Sequence, residues 1–177
     1  GTGKSFVAKT IGSLFGRHYM PVTDPKHLVG SFNAHLRDCV VLFGDEAFYA
    51  GDKKHESILK MLITEEFITI EAKGVDAEAS SNCIHLIMAS NDQWVVPAGF
   101  DDRRFFVLDV SDAHKNDHAY FKAIQAQLDT GGREALLHTL LTYDLKSFNV
   151  RNVPKTKALQ QQKIFSFNVE EEWWYTK

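Results

Sequence analysis

The chain opens Gly1-Thr2-Gly3-Lys4-Ser5 and runs directly into Phe6-Val7-Ala8-Lys9-Thr10-Ile11, whose apolar residues recur at helical spacing to about Phe15. These first residues match the second half of the phosphate-loop pattern GxxxxGK[ST]. Each residue type answers to a separate task around a phosphate. The glycines let backbone amides turn inward, the lysine neutralises β and γ oxygens, the serine hydroxyl reaches Mg²⁺, and the helix start adds the positive end of its dipole. A helix merely capped by glycine is the competing reading. The motif's first glycine and the strand feeding it are expected ahead of residue 1, and a chain that begins at Gly1 is expected to hold nucleotide poorly.

A second group of residues could complete such a site. Cys39-Val40-Val41-Leu42-Phe43 is a continuous apolar run of strand length that ends at Gly44-Asp45-Glu46, as expected of a central strand covered on both faces. Beside a phosphate loop, Asp45 would hold Mg²⁺ through water and Glu46 would polarise the attacking water. A strand ending in a solvated acidic turn is the plainer alternative. Residues 83–89 form another buried-strand run, which finishes at Ser90-Asn91-Asp92. An amide at that place, Asn91, can contact the γ-phosphate and orient the water, although Ser-Asn-Asp is also an ordinary turn sequence. His85, inside this run, reads as a core histidine.

Farther on, Asp101-Asp102-Arg103-Arg104 precedes Phe105-Phe106-Val107-Leu108-Asp109-Val110, which reads as a further apolar strand. An arginine pair there is placed to reach a nucleotide held by a neighbouring subunit, Arg103 as the finger and Arg104 as its helper. Salt bridges to Asp101 or Asp102 are the competing use. Between the acidic strand and the next one lie a helical segment over 53–64 and a hairpin over 67–76 with a Lys73-Gly74 turn. Lys73 at its tip could meet a DNA phosphate as a point charge, or be a solvated lysine on a plain turn.

The elements that must position these residues fit one domain with a C-terminal extension, since 177 residues of 44% hydrophobic content are enough for one core. The division expected is 1–112 for the nucleotide-binding core and 113–177 for a helical region. Ser111-Asp112 can cap a helix over 114–129, with Tyr120, Phe121, Ile124 and Leu128 on one face. Thr130-Gly131-Gly132 stops it, and a second helix over 133–145 carries Leu136, Leu137, Leu140 and Leu141 as a packing face. Trp173-Trp174-Tyr175 reads as an apolar anchor, with base stacking as the alternative.

Cys39 and Cys83 both sit in apolar runs, so buried free thiols are expected rather than disulfides or a metal site. No apolar stretch approaches the roughly 18 residues of a membrane span, and the start has no signal-peptide pattern, so the reading is a soluble, cytoplasmic protein. A net charge of −3 neither demands nor excludes nucleic acid, because a ring can confine its basic residues to a pore.

Taken together, GTGKS, the apolar strand ending in GDEA, the Lys-bearing hairpin, MASN and DDRRFF resemble a superfamily-three helicase. The likeness is to the helicase half of phage, plasmid and viral primase-helicases. The run Asn152-Val153-Pro154-Lys155-Thr156-Lys157-Ala158-Leu159-Gln160-Gln161-Gln162-Lys163, followed by Trp173-Trp174, resembles that family too. The resemblance implies an α/β P-loop fold of AAA+ type, a three-layer sandwich around a mainly parallel sheet with a small C-terminal helical region. It implies ATP and Mg²⁺ as ligands, a homohexameric ring, movement on single-stranded or forked DNA, and often a primase or polymerase domain upstream. It assigns Gly1, Thr2, Gly3, Lys4, Ser5 and Phe6 to the phosphates, Ser5 and Asp45 to magnesium, and Glu46, Asn91, Arg103 and Arg104 to catalysis. It assigns Lys73 to DNA. A P-loop small-molecule kinase, or an inactive fragment serving as an assembly or DNA-binding module, are the alternatives.

Overall fold

The computed structural model describes residues 1–24, 33–47 and 51–175, apart from the side chains of residues 53 and 54. Helix α1 spans Lys4–Ser13. A short turn leads to strand β1 at Tyr19–Val22, and strand β2 follows at Val41–Asp45. Helix α2, Lys53–Thr64, precedes strands β3 (Phe67–Ile70), β4 (Glu78–Ser81) and β5 (His85–Ala89). Helices α3 (His118–Gln127), α4 (Arg133–Thr142), α5 (Lys157–Phe165) and α6 (Val169–Tyr175) make up the rest.

Strands β1, β2 and β5 form a parallel sheet in the order β1-β2-β5, with Tyr19 and His85 opposite Val41 on either side. Parallel neighbours need crossovers, and the one from β2 to β5 carries α2, which covers one face of the sheet, while α1, ahead of β1, covers the other. Side chains alternate accordingly. Phe43, Ile87, Ala89 and Tyr19 pack with Ala8 on the α1 side. Leu42, Met20, Val22, Leu86 and Met88 face the other way, against Leu59 and Leu62 of α2 and against Ile68 and Ile70. The fold is therefore α/β, with a small parallel sheet between helices and further helices at the C-terminal end. Burying a side chain such as Leu42 or Phe43 stabilises by roughly 1.5–3 kcal/mol, whereas an exposed pair such as Lys60 with Glu56 gives about 0–1 kcal/mol. Core packing, not surface charge, holds the strand ends where they are.

Strand β1 was not expected from the sequence: it has only four residues and contains Pro21. A proline is tolerated because, among the described residues, β1 is an edge strand that bonds only to β2. Against it α1 packs very closely, and a Cβ on Gly12 would lie 2.3 Å from the Tyr19 ring and 2.6 Å from its root carbon. Gly12→Ala therefore has to push β1 away. It is expected to cost about 1–3 kcal/mol in urea unfolding despite alanine's better helix propensity, with the m-value unchanged.

The hairpin β3-β4 is antiparallel, pairing Phe67 with Ser81 and Ile70 with Glu78, and Lys73-Gly74 lies in its connection with Gly74 at φ 78°. Several expectations are corrected. Residues 105–110 form no strand; Phe105 is buried while Phe106, Leu108 and Val110 are exposed, and the Val107 carbonyl accepts from Thr156 Oγ1 instead of from a ladder. Cys83 and His85 are exposed, because the chain reaches its strand pairing only at His85, whereas Cys39 is buried and its thiol is pushed up to about 11 by burial. Helix α3 starts at His118 with Asp117 as its cap, while Ser111 caps a separate short turn at Asp112–His114. The leucines of α4 are not a packed face: Leu140 and Leu141 are 50% and 76% exposed.

Among the described residues no helix is long and apolar enough to cross a membrane.

Candidate functional site

Three elements bring the candidate residues to one end of the sheet. Helix α1 begins at Lys4, with Gly3 as its N-terminal residue at φ 94°. A side chain at Gly3 would be strained there, and its Cβ would also lie 2.6 Å from the Phe121 ring, so both backbone and space call for glycine. No side chain among the described residues caps α1 and no acidic residue lies in its first turn, which suits its amides and dipole to an anion. Strand β2 delivers Asp45 at its last position and Glu46 just beyond. Strand β5, parallel and adjacent, ends at Ala89 opposite Asp45 and delivers Ser90 and Asn91 at the same level.

The side chains form two adjacent hydrogen-bonded groups, Ser5 with Asp45 and Lys4 with Asn91 and Glu46. Ser5 Oγ donates to Asp45 Oδ1 at 2.9 Å. Lys4 Nζ donates to the Ser90 carbonyl at 2.5 Å and to Asn91 Oδ1 at 2.7 Å. Asn91 Nδ2 in turn donates to Glu46 Oε1 at 2.7 Å. An ammonium can only donate, so the carboxamide must present its oxygen to Lys4 and its NH₂ to Glu46. An aspartate at position 91 would meet Glu46 with like charge. The amide is what lets a cation and a carboxylate share one residue.

Glu46 has φ 57°, a left-handed conformation that is uncommon for a residue with a side chain and costs of order 1 kcal/mol. Its own amide donates to the Ala89 carbonyl at 2.9 Å, which extends the β2-β5 ladder by one bond and holds the bend. The bend turns the carboxylate out toward Asn91. Tyr19, whose buried hydroxyl has no hydrogen-bond partner among the described residues, has its pKa raised first by burial and then by the charge of Asp45.

A cavity of about 320 Å³ is lined by Gly1, Thr2, Gly3, Lys4, Ser5, Phe6, Asp45, Glu46, Ala89, Asn91 and Phe121. A second, of about 650 Å³, shares Gly1, Thr2, Lys4 and Asn91 with it and extends along Gln93, Val107–Val110 and Gln161. Phe121 is a site residue that the sequence reading placed only on a helix face; it rests over Gly3 and packs against Phe6 with ring centroids 5.6 Å apart. Ser5 and Asp45 offer the oxygen pair expected of a Mg²⁺ site, which takes one or two protein oxygens and fills its remaining positions with water and phosphate.

The other candidates stand apart. Neither Arg103 nor Arg104 lines either cavity. Arg104 is committed to Asp102, through its guanidinium and through its backbone amide at 2.8 Å, and the Asp102 side chain is nearly buried. Arg103 is exposed. Lys73 is exposed in the hairpin connection.

Three solved structures of the NrS-1 C-terminal region in its apo state, two of them in an A form, share this fold, with TM-scores of 0.76, 0.77 and 0.79 at 19%, 19% and 20% identity. The match covers 94%, 94% and 96% of this chain and 41%, 40% and 40% of theirs, so the chain spans about two fifths of the length of those structures. No curated protein matches the sequence. Residues 1–104 match the family described as "Family of unknown function (DUF5906)". That is more than half of the 177 residues, and the chain belongs to that family.

Proposed function

We propose that the chain is the ATP-hydrolysing core of a DNA helicase of the superfamily-three type, with a P-loop fold and sites completed between subunits of a ring. The observation that carries this reading is the pair of hydrogen-bonded groups, Ser5 with Asp45 and Lys4 with Asn91 and Glu46, which join three distant stretches of sequence at the ends of two parallel strands. Residues packed merely as structure would have no reason to gather a cation, two carboxylates and an amide around an open cavity.

In this reading ATP lies with its phosphates over the start of α1, where Lys4 exchanges one of its present partners for β and γ oxygens. Ser5 and Asp45 hold Mg²⁺, which supplies charge neutralisation at the phosphates. Glu46, aimed by Asn91, accepts the proton of the attacking water as its oxygen bonds to the γ-phosphorus and the bond to the ADP oxygen breaks. Arg103, exposed and away from its own chain's cavities, is available to a neighbouring subunit's γ-phosphate, while Arg104 braces the loop through Asp102.

Lys73 is the DNA contact in this reading. It works against its surroundings, since Glu71, Asp76 and Glu78 flank it in the same hairpin. Its contribution is therefore a single phosphate contact. Single-stranded DNA is expected to stimulate ATP turnover by the full-length protein, and Lys73→Ala to reduce the slope of log affinity against log salt by about 0.7 for each engaged hairpin. Turnover indifferent to DNA, with an unchanged salt slope in the variant, would count against the helicase.

The larger cavity beside the phosphate site favours one other reading, a small-molecule kinase with its acceptor there. A kinase of this kind needs no second subunit to complete its site, so its specific activity survives dilution, whereas a ring with shared sites loses activity steeply as it dissociates.

A further inference from the structure

From Asn91 to Val110 the chain contains neither helix nor strand; some of its backbone groups pair within the segment, as the Ala98 amide does with the Val96 carbonyl and the Asp102 amide with the Gly99 carbonyl, and others need partners from outside it. Helix α5 and its cap supply partners for five of them. Gln162, 5% exposed, accepts at Oε1 from the amides of Val95 (2.7 Å) and Val96 (3.2 Å), and donates from Nε2 to the Gln93 carbonyl (2.7 Å). The next residue, Lys163, donates from Nζ to the Phe100 carbonyl at 2.6 Å. Thr156, which caps α5 by accepting from the Leu159 amide at 3.0 Å, donates to the Val107 carbonyl at 2.6 Å.

We propose that Gln162 is a positioning residue: by binding both amides and a carbonyl of the loop, it makes α5 the support that fixes Asn91 at one end of the loop and Arg103 farther along it. This rests on the site reading above. A buried carboxamide suits the place because it alone among uncharged side chains offers two acceptor lone pairs and two donors in one plane. Leu159 of the same helix packs with Val96, Ala98 and Phe105 of the loop, and Gln162 is itself largely buried at the rim of the larger cavity, so losing one of its bonds leaves a buried or half-buried group unsatisfied. Helix α5 contributes no side chain to the phosphate cavity, yet Asn91 stands only two residues from Gln93. A shift of the loop would move the amide that aims Glu46.

The test uses the full-length protein with Gln162→Met, which keeps length and shape but removes all three bonds, and Gln162→Glu, which keeps the acceptors and, when ionised, lacks the donor. Amide hydrogen exchange at Val95 and Val96 is expected to quicken by about tenfold or more in Gln162→Met, with α1 and β2 unchanged. ATP turnover is expected to fall at least about tenfold in kcat while KM stays within about threefold. In Gln162→Glu, kcat relative to wild type is expected to rise as pH falls and the protonated carboxyl regains a donor for Gln93; the same ratio for Gln162→Met stays flat. Unchanged exchange at Val95 and Val96, acceleration spread evenly over the chain, or normal kcat in either variant despite a loosened loop would overturn the proposal. If the wild-type protein hydrolyses no ATP the site reading fails instead, and the exchange pattern still decides whether Gln162 holds the loop.

Discussion

Arg103→Ala in the full-length protein is expected to lower DNA-stimulated ATP turnover by about 1000-fold or more, while Mg·ATP binding stays within about threefold of wild type. The size follows from the job of a finger, which neutralises charge that grows on the γ-phosphoryl group only as the bond to ADP breaks. Its effect should therefore fall on kcat and not on ground-state affinity. The variant should also fold normally, because Arg103 is exposed and lines neither cavity of its own chain. Arg104→Ala is a useful contrast: it removes a partner from the nearly buried Asp102, and its effect should appear in stability as well as in turnover. Mixing Arg103→Ala with Asp45→Ala subunits should restore part of the activity, since an intact Asp45 site then meets an intact Arg103 across an interface. Absence of any restoration, with both variants folded and oligomeric, would mean that sites are not shared.

Lys4→Ala should be the more complete loss, because it removes ground-state binding as well as turnover. Lys4 is the one cationic side chain among the described residues that line the phosphate cavity, and it also anchors Asn91 at 2.7 Å. Without it, Asn91 loses the partner that fixes its oxygen and can rotate away from Glu46. A fall in kcat/KM of about 1000-fold or more is expected, with weakened ATP affinity by equilibrium binding. A normal rate in a well-folded Lys4→Ala protein would sink the phosphate-loop reading.

How far the sequence disclosed this arrangement depends on how local the signal was. The strands at Val41–Asp45 and His85–Ala89 were foreshadowed by the largely apolar runs 39–43 and 83–89, which suit a covered parallel sheet, although Cys83 and His85 at the start of the second lie exposed, and the polar residues that followed marked the strand ends. The helix at 53–64 and the Lys73-Gly74 hairpin were legible for similar reasons: period-3.6 patterning in one, β-branched residues around a turn in the other. Tyr19–Val22 was not, since four residues with a proline carry little periodic signal and an edge position is a property of the sheet. The 105–110 segment shows the opposite failure. Its residues have strand-like composition and alternating burial, but a strand needs a ladder partner, and here a carbonyl is answered by the Thr156 hydroxyl.

Within the candidate site, the identities of Lys4, Ser5, Asp45, Glu46 and Asn91 could be chosen from sequence because each follows a glycine-rich start or a strand end. What could not be read was how they meet. The left-handed bend at Glu46, the closeness of Phe121 to Gly3 and the grip of Gln162 on residues 93–96 all depend on contacts between segments far apart in the chain. A buried glutamine within a Gln-Gln-Gln run looks no different from its solvated neighbours. The exposed leucines of α4 failed for a related reason, as apolar spacing says which residues share a face and not whether anything covers it.

The most direct test of the nucleotide site is a single-turnover measurement of ATP hydrolysis by the full-length protein with Mg²⁺ and single-stranded DNA, wild type beside Glu46→Gln, with bound ATP quantified in the same samples. The expected result is that Glu46→Gln binds ATP as well as wild type but hydrolyses it at least about 100-fold more slowly, since the glutamine keeps the shape and loses the proton acceptor. Hydrolysis at the wild-type rate in a fully loaded Glu46→Gln protein would contradict the account.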